Sequence, residues 1–191
     1  MIKISGGCCR GRTLLAPTDQ RVRPTTGRVK EALFSMIAAK LPQASVLDLF
    51  AGSGNLGLEA LSRGAASAVF VDNNRQSQLL IDKNIKRCGF IDQTTVLSAS
   101  AVHEPLFLSL NTLVNQEKSL ISGFDLVFLD PPYGQGLAQK CLNLLAGADF
   151  WHPGAVIVTE EAENVMITLP EGWRMIQSRS YGDTRLTIGT R

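Results

Sequence analysis

The middle of the chain alternates between short apolar runs and segments in which apolar residues recur at helical spacing. Apolar runs bounded by Gly, Pro or Asp are typical of buried strands, and apolar residues three or four positions apart are typical of helices. The predicted strands are 46–50, 68–72, 95–97, 124–129 and 155–159, and the predicted helices are 55–63, 74–88, 101–115 and 137–145. This order predicts a parallel sheet with helices on both faces.

The two ends of the chain depart from this pattern. Residues 173–179 and 185–189 alternate apolar and polar positions with no helix between them, which predicts an antiparallel hairpin at one sheet edge. At the other end, two short β-like pieces flank Gly6-Gly7 and Gly11 and predict a small hairpin, and helical spacing resumes before Pro42. We therefore predict an α/β, Rossmann-like fold with a seven-stranded, mostly parallel sheet, an antiparallel C-terminal hairpin and a small N-terminal β-hairpin and helix extension.

Composition narrows the class of protein. An apolar content of 45% in 191 residues suits one globular domain with a real core, and we divide the chain into an extension, 1–23, and a main domain, 24–191. No apolar run approaches the roughly 18 residues of a membrane span, so we expect a cytoplasmic protein without membrane contact. Four scattered cysteines and two isolated histidines, with no C-x-x-C, predict neither a disulfide framework nor a metal site.

Charge is distributed unevenly along the chain. Residues 1–40 hold eight basic and two acidic residues, a net charge of +6, whereas the remainder holds eleven basic and fifteen acidic residues, a net charge of −4. A basic segment on an acidic body indicates an anionic partner, although a solvated surface strand and helix would show the same charge. Lys30 is expected to point outward, and the candidates for contact with nucleic-acid phosphates are Arg10, Arg12, Arg21, Arg23 and Arg28.

A glycine-rich turn follows the first predicted strand of the sheet. Gly52, Gly54 and Gly57 form G-x-G-x-x-G between a strand and a helix, and Asp72 ends the next strand about twenty residues on. Such a turn lets the backbone approach a ligand closely, and the acid can accept ribose hydroxyls, so either NAD or S-adenosylmethionine (SAM) would fit. Asp48 favours SAM, because a carboxylate at this strand end attracts the cationic methionine moiety, directly or through water, and repels a pyrophosphate.

The predicted strand 124–129 ends in Asp130-Pro131-Pro132-Tyr133. The prolines donate no N–H and hold rigid carbonyls that can accept hydrogen bonds, and the tyrosine offers a flat aromatic face. A carboxylate, a carbonyl and an aromatic ring together could hold an amino group on a flat heterocycle, which again favours SAM and methyl transfer. These four residues are the predicted catalytic set.

The remaining cofactor contacts are predicted from the ends of the strands. Ser100 stands where many methyltransferases place an acid or amide for the adenine amino group, and it can supply that contact only weakly. The predicted cofactor-binding residues are Asp48, Phe50, Gly52, Gly54, Asp72, Asn73, Ser100, Ala101 and Asp130.

The motifs resemble those of the RsmD family, the bacterial 16S ribosomal RNA guanine-N2 methyltransferases, over nearly the whole chain. Residues 23–34 look like that family's R-P-T-x-x-R-V-[KR]-E-x-[LM]-F signature, and residues 4–12 look like its Gly-Gly and Gly-Arg opening. Departures are Ser100 and the adjacent Cys8-Cys9. The resemblance implies a Rossmann-like SAM-dependent methyltransferase domain at 24–191, S-adenosylhomocysteine as product, and action on an assembly intermediate with ribosomal proteins. We expect a monomer.

Two other functions fit the motifs. A DNA adenine-N6 methyltransferase shares Asp-Pro-Pro-Tyr, although such enzymes usually need a separate target-recognition region and only the basic extension is available here. A non-catalytic RNA-binding module that has kept the methyltransferase fold would also retain these residues. The four residues 130–133 do not by themselves distinguish guanine from adenine.

Overall fold

The computed structural model describes residues 1–17, 27–115 and 122–191. Within these residues the helices are α1 Gly27–Met36, α2 Asn55–Ser62, α3 Arg75–Cys88, α4 Glu104–Val114 and α5 Leu137–Leu145. The strands are β1 Ile2–Lys3, β2 Thr13–Leu14, β3 Ser45–Leu49, β4 Ser67–Asp72, β5 Thr94–Ser98, β6 Phe124–Leu129, β7 Trp151–Ala162, β8 Arg174–Tyr181 and β9 Thr184–Thr190. No helix in the described part of the chain is long and apolar enough to cross a membrane.

Seven strands form one sheet in the order β5-β4-β3-β6-β7-β9-β8. The pairs from β5 to β7 are parallel, and β9 is antiparallel to both β7 and β8. The predicted fold class is therefore confirmed, including the C-terminal hairpin. The parallel strands β3 and β4 are buried on both faces, because helices cover both sides of a parallel sheet, and this explains their mostly apolar sequences.

Two apolar layers lie on opposite faces of the sheet. One contains buried side chains of α1, α2 and α3 with alternate strand residues such as Val46 and Phe128. The other contains side chains of α4 and α5 with the intervening strand residues such as Leu47 and Val127. The alternation assigns each strand residue to one layer. Because β3, β4 and β6 are parallel, their carboxyl ends meet at a single edge of the sheet, which we call the catalytic edge after the predicted catalytic residues 130–133 that follow β6.

Strand β7 is longer than its sequence pattern predicts. We predicted 155–159, and the strand covers Trp151–Ala162. Its extension includes Glu160 and Glu161, which are only 5% and 3% exposed and pair in register with Leu186 and Arg185 of β9. Two adjacent charges indicated the end of a strand, but the antiparallel neighbour extends the hydrogen-bonded ladder through them.

The N-terminal residues fold against the main domain. β1 pairs with β2 in an antiparallel hairpin, as predicted. Ile4, Cys9 and Leu14 are buried in the same apolar layer as α1 to α3, so this hairpin shares the core of the domain. Gly7, at a φ of +76°, lies so close to the Ser62 carbonyl that a Cβ would sit 1.7 Å from its oxygen. The proposed domain boundary at 23/24 lies outside the described residues.

A buried ion cluster joins the hairpin to two helices. Glu59 of α2 is fully buried, and its carboxylate contacts Lys30 Nζ and Arg63 Nε at 2.8 Å each. The same carboxylate accepts hydrogen bonds from the backbone N–H groups of Ser5 and Gly6. The prediction that Lys30 points outward is therefore wrong. Lys30 lies inward, 3% exposed, because a partner 29 positions away in sequence neutralises its charge.

Candidate active site

Strand register brings the predicted site residues into one row. Leu49 of β3 pairs with Val71 of β4 and with Leu129 of β6. Asp72 and Asp130 each come one residue after these partners, so they lie on either side of the turn that follows β3. The glycine turn, Asp72 and the Asp-Pro-Pro-Tyr segment therefore share one edge of the sheet.

The turn after β3 has an unusual backbone. Gly52 and Gly54 adopt φ values of +57° and +76°, which glycine reaches without steric cost. Phe50 has a φ of +64°, although it is a bulky residue for which this conformation is rare. Strain of this kind at a ligand-binding turn costs about 1–3 kcal/mol and persists where the surrounding structure enforces it. Gly57 has a packing role, since a Cβ there would lie 2.4 Å from the Phe70 ring.

Asp48 lies beneath this turn. It is 2% exposed, and its Oδ2 accepts a hydrogen bond of 2.8 Å from the Gly57 N–H at the start of α2. Burial raises the pKa of Asp48 to about 8, and the nearby Asp72 charge adds to the rise, while the Gly57 hydrogen bond opposes it. A buried carboxyl group whose pKa lies near neutral pH can ionise when a cationic ligand approaches.

Asp72 connects the glycine turn after β3 to the start of α3. Its Oδ2 accepts from the Gly52 N–H at 2.9 Å and its Oδ1 accepts from the Asn74 N–H at 2.8 Å. Each carboxylate oxygen keeps a further lone pair, so both can also accept from ribose hydroxyls. Asn73 between them is exposed at the same edge.

The adenine side of the predicted site follows β5. Ser100 is half-buried there, and the side chain of Ala101 is 4% exposed and packs into the core, so its backbone is the part that remains for a ligand. The sequence analysis missed Gln78, whose Nε2 donates to the Asp72 carbonyl at 2.8 Å and to Ser98 Oγ at 2.9 Å. Gln78 thus ties α3 to the ends of β4 and β5. A polar residue one turn into a helix carried no local signal of this role.

The Asp-Pro-Pro-Tyr segment begins directly after β6. Asp130 is half-buried and Pro131 is buried, whereas Pro132 and Tyr133 are exposed at the catalytic edge. The Tyr133 hydroxyl donates to Glu160 Oε1 at 2.8 Å and lies 3.0 Å from Thr184 Oγ1. Burial raises the pKa of Tyr133 well above its usual range, and the Glu160 carboxylate contributes to the rise. The hydroxyl therefore stays protonated and fixes the ring.

Glu160 and Thr184 are site residues that the sequence analysis missed. Leu129 pairs with Thr159, so Glu160 lies in register beside Asp130 on the neighbouring parallel strand. A carboxylate in an otherwise apolar strand was the available signal, because buried charges need a partner. Tyr133, one of its partners, follows a different strand and could not be identified from spacing.

The predicted arginines do not all lie at the catalytic edge. Arg28 is exposed in the first turn of α1, and Arg21 and Arg23 lie outside the described residues. Arg12 donates from Nη1 to the carbonyl of Arg87, in the last turn of α3. α3 begins at the catalytic edge and runs away from it. Arg10 and Arg12 therefore lie near the C-terminal end of α3, away from the catalytic edge.

Comparisons with known proteins cover nearly the whole chain. A family model described as "Conserved hypothetical protein 95" matches residues 2–190. The chain is 33% identical to "Ribosomal RNA small subunit methyltransferase D" of Haemophilus influenzae, covering 95% of this chain and 89% of that protein. It is 36% identical to the Escherichia coli protein of the same name, with coverages of 95% and 85%. The solved structure of Escherichia coli yhhF superposes with a TM-score of 0.80 at 32% identity, covering 100% and 97%.

Proposed function

Because the chain belongs to the RsmD family of SAM-dependent methyltransferases, we propose that it methylates the exocyclic N2 amine of one guanine in 16S ribosomal RNA. The observation that carries the proposal is the position of Asp130-Pro131-Pro132-Tyr133, directly after the strand adjacent to the one that leads into the glycine turn. A target amine gripped at residue 130 would therefore lie beside a methyl donor held by that turn. Family membership, rather than these four residues, supports guanine over adenine.

The residues present fit SAM. The turn at Gly52 and Gly54 has no side chain to block a close approach, and the two oxygens of Asp72 are held toward the edge by backbone N–H groups. Asp48 supplies a carboxyl group that can ionise beneath a cation. When bound, SAM supplies the electrophilic methyl group, and S-adenosylhomocysteine is the product.

The catalytic task of the protein is to orient a poor nucleophile. The lone pair of a guanine N2 amine is delocalised into the ring, so reaction requires the nitrogen to become pyramidal and to face the methyl group. We assign one amine N–H to the Asp130 carboxylate and the other to the Pro131 carbonyl. Accepting both hydrogens directs the lone pair away from them, and Asp130 or water takes the proton that is released.

Tyr133 completes the proposed binding site for the target base by stacking on it. The residue is 37% exposed, and its hydroxyl is hydrogen-bonded to Glu160 and lies 3.0 Å from Thr184 Oγ1. Stacking of a base on an aromatic side chain is worth about 1–3 kcal/mol. The target guanine must be unpaired or flipped out of a helix to reach this position.

The proposed substrate also sets the cellular context. We propose that the protein acts in the cytoplasm, as a monomer, on 16S rRNA in a small-subunit assembly intermediate that carries ribosomal proteins. Arg28, exposed in the first turn of α1, stays a candidate for a phosphate contact, as do Arg21 and Arg23, which lie outside the described residues.

Transfer of label from radioactive SAM tests the proposal. The protein is incubated with small-subunit particles from a strain that lacks the gene and, in parallel, with duplex DNA. We expect label in 16S rRNA and none in DNA. Label in DNA alone would favour the adenine-N6 alternative, and no label in either would favour a non-catalytic RNA-binding protein.

The pH dependence of SAM binding should identify Asp48 as a ligand-linked acid. Its pKa of about 8 means that the carboxyl group is largely protonated in the free protein at pH 7. A cationic ligand favours the carboxylate, so binding releases a proton and the affinity rises with pH until about pH 8, where the gain stops. The increase is at most about tenfold per pH unit. Calorimetric titrations between pH 6 and 9 measure it.

The matched variant is Asp48→Asn, which keeps the shape and can still accept from Gly57. It should bind SAM more weakly than the wild type at pH 8 and should lack the proton-linked increase. Comparison of the two proteins cancels the titration of SAM itself. Equal pH profiles in the two proteins would contradict a role for Asp48 in cofactor binding.

Removal of the Tyr133 hydroxyl should lower the free energy of unfolding more than it weakens stacking of the ring on the base. Tyr133→Phe leaves the buried Glu160 carboxylate without this donor, and a lost partner for a buried polar group costs about 1–3 kcal/mol of unfolding free energy. The ring is kept, so RNA binding should suffer less than in Tyr133→Ala, which loses the stacking contribution as well. Chemical denaturation and steady-state kinetics measure the two effects.

A double-mutant cycle provides the control. Glu160→Gln in the Tyr133→Phe background removes the buried charge that has lost the Tyr133 donor and should recover part of the lost stability. Tyr181→Phe, at the other tyrosine of the chain, should change stability by less than Tyr133→Phe. Additive effects of the Tyr133 and Glu160 substitutions would mean that their hydrogen bond contributes little.

A further inference from the structure

Five basic side chains from two distant segments meet at the end of α3 that faces away from the catalytic edge. Arg12 of the N-terminal hairpin donates to the Arg87 carbonyl, and Cys9 Sγ donates to the Cys88 carbonyl at 3.5 Å, so hairpin and helix end are in contact. All five basic residues are exposed. We call this cluster the remote basic patch, and its members are Arg10, Arg12, Lys83, Lys86 and Arg87.

The charges of the patch are not neutralised within the described part of the chain. No salt bridge there joins any of the five to a carboxylate, although Asp82 lies on α3 itself and Asp92 follows the helix. Arg12 uses one guanidinium N–H for the Arg87 carbonyl and keeps four others. An exposed, unneutralised cluster of this kind attracts anions.

Capping of the C-terminal end of α3 explains the position of only some of these basic residues. The carbonyls of Ile85 and Lys86 already accept backbone N–H groups of Gly89 and Phe90. The last two carbonyls of α3 accept from Arg12 and Cys9. The helix end is therefore capped by the protein itself, and the side chains of Arg10, Lys83, Lys86 and Arg87 are not needed for it.

We infer that the remote basic patch binds the phosphate backbone of the substrate rRNA at a point several nucleotides from the target guanine. This inference rests on the proposed function. α3 has 14 residues, so at a rise of about 1.5 Å per residue the patch lies roughly 20 Å from the other end of α3, which begins beside Asp72. Phosphate contacts at that distance carry no sequence information but fix the orientation of the RNA on the enzyme.

A groove links the patch to the catalytic edge. It encloses about 410 Å³ between α3 and β5 and extends from Lys86 and Ile91 to Gln78 and Ser98. Ser98 pairs in register with Asp72, so the far end of the groove reaches the ribose side of the cofactor site. Asp82 also lines it, and we therefore place the phosphates at the Lys86 end. The groove provides a continuous surface along which the RNA can run.

The test is the salt dependence of binding to a full-length 16S rRNA transcript. Lys86→Gln/Arg87→Gln removes two charges that make no side-chain hydrogen bond or ion pair in the described residues. If both contact phosphates, the slope of log K against log salt should fall in magnitude by about 1.4–1.8. The KM for small-subunit particles should rise as well, and thermal unfolding should match the wild type.

The matched control is Lys140→Gln/Arg174→Gln, which removes the same charges from exposed positions on α5 and β8. It should leave the slope unchanged. A wild-type slope in the patch variant, or an equal decrease in the control, would overturn the inference. Failure of the proposed function is separate, because it would appear as wild-type protein that transfers no methyl group to rRNA whatever the slope.

Discussion

Asp130→Asn is expected to lower kcat for methyl transfer by at least about 10²-fold while SAM affinity changes little. The amide is close in size to the carboxylate, but it is neutral and presents one acceptor oxygen and a donor in place of two acceptor oxygens. It therefore binds the guanine amine poorly and cannot take its proton. Single-turnover methylation of small-subunit particles measures the rate, and calorimetry measures SAM binding.

Asp149→Asn is the control for this substitution, since Asp149 is an exposed acid away from the described site. It should retain the wild-type rate. Equal losses of methylation and of SAM affinity in Asp130→Asn would mean that Asp130 organises the cofactor site. In that case the grip on the amine must be assigned to other groups at the catalytic edge.

Glu59→Gln is expected to produce the largest loss of stability, about 3–5 kcal/mol of unfolding free energy. It removes the negative charge that neutralises Lys30 and Arg63, and the Lys30 side chain is only 4% exposed. The N-terminal hairpin is also held by this carboxylate through Ser5 and Gly6. Equilibrium denaturation with urea measures the change.

The surface pair Glu163–Arg185 provides the comparison. Its atoms are 3.7 Å apart and the Glu163 side chain is 50% exposed, so Glu163→Gln should cost at most about 1 kcal/mol. Similar losses of unfolding free energy in Glu59→Gln and Glu163→Gln would show that burial of the Glu59 cluster adds nothing to its contribution to stability.

The Glu59 contribution should also depend on pH. Burial alone would raise the pKa of Glu59, but hydrogen bonds from Lys30 and Ser5 and the Lys30 charge outweigh it and hold the pKa below its ordinary value. Stability from this group is complete above the unfolded-state pKa of about 4.3 and is lost as the pH falls toward the lower folded-state pKa. The wild type should lose this component in acid, and Glu59→Gln should not.

The sheet was predictable because its strands are buried on both faces. β4 and β6 are largely apolar strands that end at Asp72 and just before Asp130, and β3 is a largely apolar strand that leads into the glycine turn, so the sequence predicts the ends of these strands to within a residue. Because the carboxyl ends of parallel strands lie together, the glycine turn and Asp130 share one edge. These features depend on local sequence and on one general rule of topology.

The features that could not be predicted depend on partners distant in sequence. Glu160 extends β7 because Tyr133 and β9 satisfy it, and Lys30 is buried because Glu59 neutralises it. The direction in which the hairpin packs is also set by long-range contacts, such as the Cys8 N–H to the Ser62 carbonyl. For that reason charge alone did not indicate that Arg12 lies away from the catalytic edge.

Contacts distant in sequence also connect the hairpin to the cofactor turn. Buried Asn84 exchanges hydrogen bonds with the backbone of Leu15 and donates to the carbonyl of Ser53, between Gly52 and Gly54. Lys30 donates to Asn55 at the start of α2 and to the carbonyl of Lys3. The hairpin and the turn are therefore parts of one rigid assembly, and RNA held by one is positioned relative to the other.

Methylation of guanine N2 in 16S rRNA through Asp130 is tested most directly by mass spectrometry of rRNA nucleosides. Small-subunit rRNA is compared between cells with the gene, cells without it, and deletion cells that carry wild-type or Asp130→Asn protein. We expect one N2-methylguanine to disappear on deletion and to return with the wild type but not with Asp130→Asn. Unchanged N2-methylguanine in the deletion strain, or its full recovery with Asp130→Asn, would contradict the claim.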